Sequence, residues 1–173
     1  MNSKYFSFEI QTKLIFGNGS LMSLKNELKS LGKNVLIVAQ NKMEEMGYLK
    51  RVTDQLTEDH FKLYFWSSIH DNPVVCDVDD AVESLNSIKF DAIIALGGGS
   101  TIDVAKALSV TACTGGLAWD YVYSSAKRTV SHTIPVIAIP TTSGTGSHMT
   151  KYSVLTNPQE GIKSTIVTEK IFP

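Results

Sequence analysis

The segment running from Asp91 through Ala92-Ile93-Ile94-Ala95-Leu96 into Gly97-Gly98-Gly99-Ser100-Thr101 constrains this chain more than any other. Five strand-forming residues lead straight into three glycines, and a helical pattern begins at once, with Ser100 or Thr101 placed to cap it. The N–H groups in a helix's first turn have no partner inside the helix, and the helix dipole adds partial positive charge there. Glycine lets an anion approach the backbone closely because no Cβ intervenes. A strand that turns through glycines into a helix therefore reads as a phosphate site. The same pattern also reads as a tight turn without a ligand. The dinucleotide fingerprint G-x-G-x-x-G is met by Gly97 and Gly99 but fails at Ile102, and the P-loop pattern is absent.

The rest of the chain supplies the setting. Val35-Leu36-Ile37-Val38-Ala39 is a continuous apolar run of the kind buried on both faces of a sheet, and Phe61–Phe65 and Ile134–Ile139 read as further strands. Ser20 is placed to cap a helix carrying Leu21, Leu24, Leu28 and Leu31, with Gly32 as its stop. Leu49, Val52 and Leu56 mark a second helix. Asn72-Pro73 reads as cap and first residue of a third, with Val74, Val75, Val78, Ala81, Val82 and Leu85 as its apolar face. Residues 113–133 read as a connection with little periodicity. Val154–Thr156 and Thr165–Val167 read as a pair around the turn at Asn157-Pro158. Phe6, Phe8 and Ile10, followed by Leu14–Phe16, read as an N-terminal hairpin or edge pair. Strands alternating with helices predict an α/β, Rossmann-like, mostly parallel sheet with helices on both faces, plus that N-terminal pair. Ligands in such sheets bind at the carboxyl ends of the strands. Those ends hold Gln40-Asn41, Asn72-Pro73, the glycine turn, and the segment after residue 139.

At 173 residues, 43% apolar and 19% charged, the sequence is expected to form one packed domain. A net charge of −1 without a basic run argues against nucleic-acid or membrane-surface binding. Cys76 and Cys113 are far apart and in no metal spacing, which predicts a reduced, cytoplasmic protein. His60, His70, His132 and His148 form no i,i+3 or i,i+4 pair, so the sequence assigns neither a metal ligand nor a catalytic residue.

The segment after residue 139 is Pro140-Thr141-Thr142-Ser143-Gly144-Thr145-Gly146-Ser147, rich in hydroxyl donors. Together, GGGSTIDVAKAL at 97–108 and PTTSGTGSHMT at 140–150 resemble the iron-containing (group III) alcohol dehydrogenases. Phe16-Gly17-Asn18-Gly19, Asn72-Pro73 and Gly161-Ile162-Lys163 add smaller matches in order along nearly the whole chain. The resemblance implies that residues 1–173 form the NAD(P)-binding domain, without the family's C-terminal helical metal-binding domain. It places Gly97, Gly98, Gly99 and Ser100 on the pyrophosphate, and Thr141, Thr142 and Thr145 on phosphate, ribose or adenine. Asn72 would approach the phosphates or ribose, Val154 and Lys163 the nicotinamide side, and Asp103 the nicotinamide pocket. Gln40 stands where NAD-preferring members carry Asp. The loss of that charge makes NADP use, or dual use, an expectation alongside NAD.

In the family, one Asp and three His downstream of this region hold iron or zinc. The resemblance therefore implies the cofactor-binding half of an enzyme that moves hydride between an alcohol or aldehyde and nicotinamide, with negligible turnover by this chain alone. It also implies a homodimer. A glycerol-dehydrogenase or dehydroquinate-synthase-like enzyme, and a non-catalytic nucleotide-binding module, are the alternatives.

Overall fold

Strands β1 (Asn34–Val38) and β3 (Ala92–Gly97) are apolar without interruption because both of their faces are covered: Val35 to Val38 and Ala92 to Leu96 are all buried. The computed structural model describes residues 9–57, 60–125 and 127–173. β1 and β3 form the centre of a four-stranded sheet, with β2 (Lys62–Trp66) outside β1 and β4 (Val136–Pro140) outside β3. Every pairing in it is parallel, with Val35 beside both Leu63 and Ala92, and Gly97 beside Pro140.

The pleat divides the core in two. Leu36, Val38, Ile93 and Ala95 face α4 (Val75–Ser84) and α5 (Gly99–Thr114), where they pack with Val78, Ala81, Ile102 and Ala105. Val35, Ile37, Ala92, Ile94 and Leu96 face the other way, onto Leu24 and Leu28 of α1 (Leu24–Lys29) and Val52 of α3 (Tyr48–Asp54). The expected parallel α/β sheet with helices on both faces is thus what forms. α5 is buried around its circumference from Thr101 to Thr111 because a second layer covers it. That layer is the antiparallel pair β5 (Tyr152–Asn157) and β6 (Ile162–Val167), whose Leu155 and Ile166 enter the core.

Several expectations shift. Asn72 does not cap α4. The helix starts at Val75, because Pro73 gives its carbonyl to the Thr156 N–H at 2.8 Å and Val74 forms a bridge with Thr156. The Val74 N–H is taken by Asp77 Oδ2 at 3.0 Å, so Asp77 does the capping from inside the first turn. Neither Ser100 nor Thr101 caps α5, which already begins at Gly99 with Gly98 as N-cap and no side-chain cap. The helix expected from Ser20 opens instead as a 3-10 turn over Ser20–Ser23 before α1. A short helix, α2 (Asn41–Glu45), follows Gln40. Within the 113–133 connection, Ala118–Tyr121 form a 3-10 turn that buries Ala118, Trp119 and Tyr121. Of the proposed N-terminal pair, Phe6 and Phe8 lie outside the described residues. Leu14, Ile15 and Phe16 are exposed and join no ladder among the described residues.

Candidate functional site

The strand order reverses between β1 and β3: the chain steps outward from β1 to β2, then returns to the other side of β1 for β3 and β4. Such a switch point leaves a crevice at the carboxyl ends of the two diverging strands. Gln40 stands at one lip and the glycine turn at the other. The glycines are required there by geometry. Gly97 has φ +158°, and a Cβ on it would lie 2.5 Å from Thr101 Oγ1 and 2.8 Å from Thr101 Cβ. A Cβ on Gly98 would lie 3.1 Å from Thr142 Oγ1, and one on Gly99 would lie 2.9 Å from Thr145 Cγ2. The Thr141 N–H donates to the Gly97 carbonyl at 2.9 Å. The two motifs, whose first residues lie more than forty positions apart, therefore form one cradle over the N-terminus of α5. Thr141, Thr142 and Thr145 are exposed on it.

The β2–α4 loop closes the cradle's third side. Ser100 Oγ donates to the Asp71 carbonyl at 2.5 Å, which holds the exposed Asn72 beside the helix start. Gln40 Nε2 reaches the same loop, donating to the Ile69 carbonyl at 3.2 Å and Asp71 Oδ1 at 3.0 Å. The buried Asp77 carboxylate ties the loop down, accepting the His70 N–H at 3.2 Å and meeting His70 Nδ1 at 2.6 Å. That contact raises the His70 pKa, by hydrogen bond first and charge second. A cleft of about 280 Å³ opens beside Gln40, lined also by Ala39, Asn41, Glu44, Trp66 and Ser67.

Asp103 lies one turn along α5, where Ser153 Oγ donates to its main-chain carbonyl at 2.6 Å and the Val154 N–H stands beside its carboxyl. Burial pushes Asp103 up to about 6, against the lowering effect of the Val154 N–H, Lys106 and Ser147. Asp103 Oδ1 has no hydrogen-bond partner among the described residues. An unfolded Asp titrates near pH ~3.9. Between about pH 4 and 6 the folded chain thus keeps a proton that the unfolded chain has lost, so stability should fall as pH rises across that window, by roughly 2–3 kcal/mol. Asp103→Asn is expected to remove this slope in chemical denaturation at pH 4, 5 and 6. A variant curve parallel to that of the native chain would show that another group is responsible.

Lys163 stands apart from the cradle. It is exposed on β6, paired in the ladder opposite Thr156, whose N–H bonds the Pro73 carbonyl. Sequence reasoning missed three residues that hold the site: Asp71, Asp77 and Lys106. Lys106 is fully buried and donates to the carbonyls of Ser147, Thr150 (2.5 Å) and Tyr152 (3.0 Å), fixing the far end of the hydroxyl-rich loop to α5. A lysine inside the apolar pattern 102–110 was its one available signal. No group of three or more His, Cys, Asp or Glu among the described residues is placed to hold a metal ion, and no helix among them is long and apolar enough to cross a membrane.

Comparison with known proteins agrees with this geometry. Alcohol dehydrogenase 4 of Schizosaccharomyces pombe is 30% identical over 168 residues, covering 96% of this chain and 39% of that protein. The crystal structure of NADH-dependent butanol dehydrogenase A from Thermotoga maritima superposes with a TM-score of 0.88 at 28% identity, over 98% of this chain and 43% of that one. Sulfoacetaldehyde reductase from Bifidobacterium kashiwanohense, solved in complex with NAD+, superposes with a TM-score of 0.84 at 29% identity, over 99% of this chain and 45% of that one. The chain thus spans well under half the length of these relatives. The iron-containing alcohol dehydrogenase family profile matches residues 11–173, and the chain belongs to that family.

Proposed function

We propose that the chain binds a nicotinamide dinucleotide as the cofactor-binding part of a metal-dependent alcohol dehydrogenase. The observation that carries this reading is the joined cradle: a Cβ on Gly98 or Gly99 would press on Thr142 or Thr145 at about 3 Å, directly over the N-terminus of a sixteen-residue helix. That arrangement offers free N–H groups and hydroxyls to a pyrophosphate. The backbone of Gly97, Gly98, Gly99 and Ser100 would hold the phosphates, since the Ser100 hydroxyl is already engaged by Asp71. Thr141, Thr142, Thr145 and Asn72 would bond phosphate and ribose, and Gln40 the adenosine ribose. Asp103, Val154 and Lys163 would lie toward the nicotinamide. When bound, the cofactor supplies the hydride chemistry. The chain's own residues bind it, orient it and leave the pyrophosphate charge facing a helix dipole.

The described residues do not fit the iron or zinc of such an enzyme. We assign that metal, the residues that would activate a small alcohol or aldehyde, and most of the substrate pocket to a helical domain that is not among residues 1–173. Homodimer formation and a cytoplasmic location belong to the same proposal. The name of the NADH-dependent butanol dehydrogenase A and the NAD+ complex of the sulfoacetaldehyde reductase support the cofactor assignment.

The test is a titration of the chain with NAD+ and NADH, followed by fluorescence and calorimetry. Trp66 lines the cleft beside Gln40, whereas Trp119 is buried in the core away from it. Dinucleotide should therefore perturb Trp66, and Trp66→Phe should silence the optical signal without abolishing the heat of binding. Absence of binding by either cofactor at millimolar concentration would defeat the proposal.

A further inference from the structure

The end of β1 carries a polar relay that changes what Gln40 can recognise. Gln40 Nε2 donates to two groups that can only accept, the Ile69 carbonyl and the Asp71 carboxylate. These partners fix the amide orientation: nitrogen toward the 69–71 loop, Oε1 on the opposite side. Gln40 therefore meets a ligand as an acceptor, although its amide has donors too. The loop behind it is not free to turn, since Ser100 Oγ holds the Asp71 carbonyl and Asp77 holds the His70 main-chain N–H and ring Nδ1.

The charge at this lip is negative. Asp71, outside the cleft itself, is an exposed carboxylate 3.0 Å from Gln40 Nε2, and Glu44 lines the cleft beside Gln40. His70, the neighbouring group that could oppose them, has its ring paired to Asp77, so its charge is matched locally. Lys42 lies on α2 but does not line the cleft.

We propose that Asp71, acting behind Gln40, makes this site select a dinucleotide with a free adenosine 2′-hydroxyl over one bearing a 2′-phosphate. Gln40 Oε1 accepts the ribose hydroxyl, and Asp71 supplies, from a different loop, the negative field that repels a phosphate. Asp71 is thus a specificity-determining residue that acts through another side chain. This inference rests on the dinucleotide reading above, and it reverses the expectation that a neutral residue 40 opens the site to NADP.

The experiment measures NAD+ and NADP+ dissociation constants for the chain and for Asp71→Asn, which keeps an acceptor for Gln40 and removes the charge. The ratio of NADP+ to NAD+ affinity should rise by about tenfold, the scale expected for removing one nearby charge at a solvated lip. A measurement without any variant runs beside it. Raising the ionic strength from about 20 to about 200 mM should narrow the NAD+/NADP+ gap of the native chain, because exposed charges are screened over that range. An unchanged NADP+/NAD+ ratio in Asp71→Asn, or equal affinity of the native chain for the two cofactors, overturns the inference while leaving dinucleotide binding intact. Failure of both cofactors to bind the native chain overturns the dinucleotide reading itself.

Discussion

Gly99→Ala is expected to eliminate measurable dinucleotide binding while leaving the melting temperature close to that of the native chain. Two effects on stability nearly cancel. Alanine in place of glycine at a helical position gains up to about 1 kcal/mol. The new Cβ would lie 2.9–3.1 Å from three atoms of Thr145, including its Cβ, which cannot swing aside by rotating a side chain. Overpacking of that kind costs about 1–3 kcal/mol when the neighbours must move. Thr145 sits on an exposed loop, so the loop can yield and the cost should fall at the low end. The movement that saves the fold spoils the cradle, because it parts the hydroxyl-rich loop from the N-terminus of α5. Affinity should drop by at least about 100-fold, since misplacing a binding group by an ångström has that scale of effect. Calorimetric titration beside a thermal melt separates the two outcomes. Near-native binding by Gly99→Ala would mean that the two loops do not act together on the ligand.

Lys106→Met should instead act on the fold. Methionine replaces the aliphatic stem of a side chain with no exposed surface, but it leaves the Ser147, Thr150 and Tyr152 carbonyls without their donor. A buried acceptor left unsatisfied costs about 1–3 kcal/mol. Offsetting this, the ammonium no longer has to be desolvated, and burial has already lowered its pKa to about 8. A net loss of about 3 kcal/mol is expected, with a fall in melting temperature of about 10 °C for a chain of this size. Loosening should concentrate between residues 147 and 152, where amide hydrogen exchange would report it. If Lys106→Met melts with the native chain and residues 147–152 keep their protection, the three carbonyls are satisfied in some other way.

The sheet was legible because its signals are local. Val35–Ala39 reads as a doubly covered strand from its apolar run alone, Ala92–Leu96 reads as a strand leading into glycines, and the Gly97–Ser100 turn shows its strand-to-helix pattern within four residues. The errors fall where a distant partner overrides a local rule. Asn72-Pro73 is a strong helix start by position, yet Pro73 and Val74 are taken up by Thr156, more than eighty residues on. α2 is too short to show periodicity. Gln40 was visible as a neutral residue at a position that matters, but the carboxylate that charges its surroundings comes from Asp71, thirty-one residues away. The Lys106 cage is made of main-chain carbonyls, which leave no trace in sequence. The candidate site was therefore readable as a list of groups, and unreadable as the set of contacts that hold them.

The order of the sheet also bears on how the chain is assembled during synthesis. β1 and β2 can pair as soon as residue 66 is available, β3 then adds to the open side of β1, and β4 adds to β3. No strand has to slip between two neighbours already joined, so the sheet can grow by accretion in the order in which the chain emerges. The nonlocal step is the closure that brings Ala92 beside Val35, a loop whose entropy must be met before the pairing returns anything. Until β3 arrives, one edge of β1 stays open and apolar, which is the point at which a nascent chain of this kind is most exposed to pairing with the wrong partner.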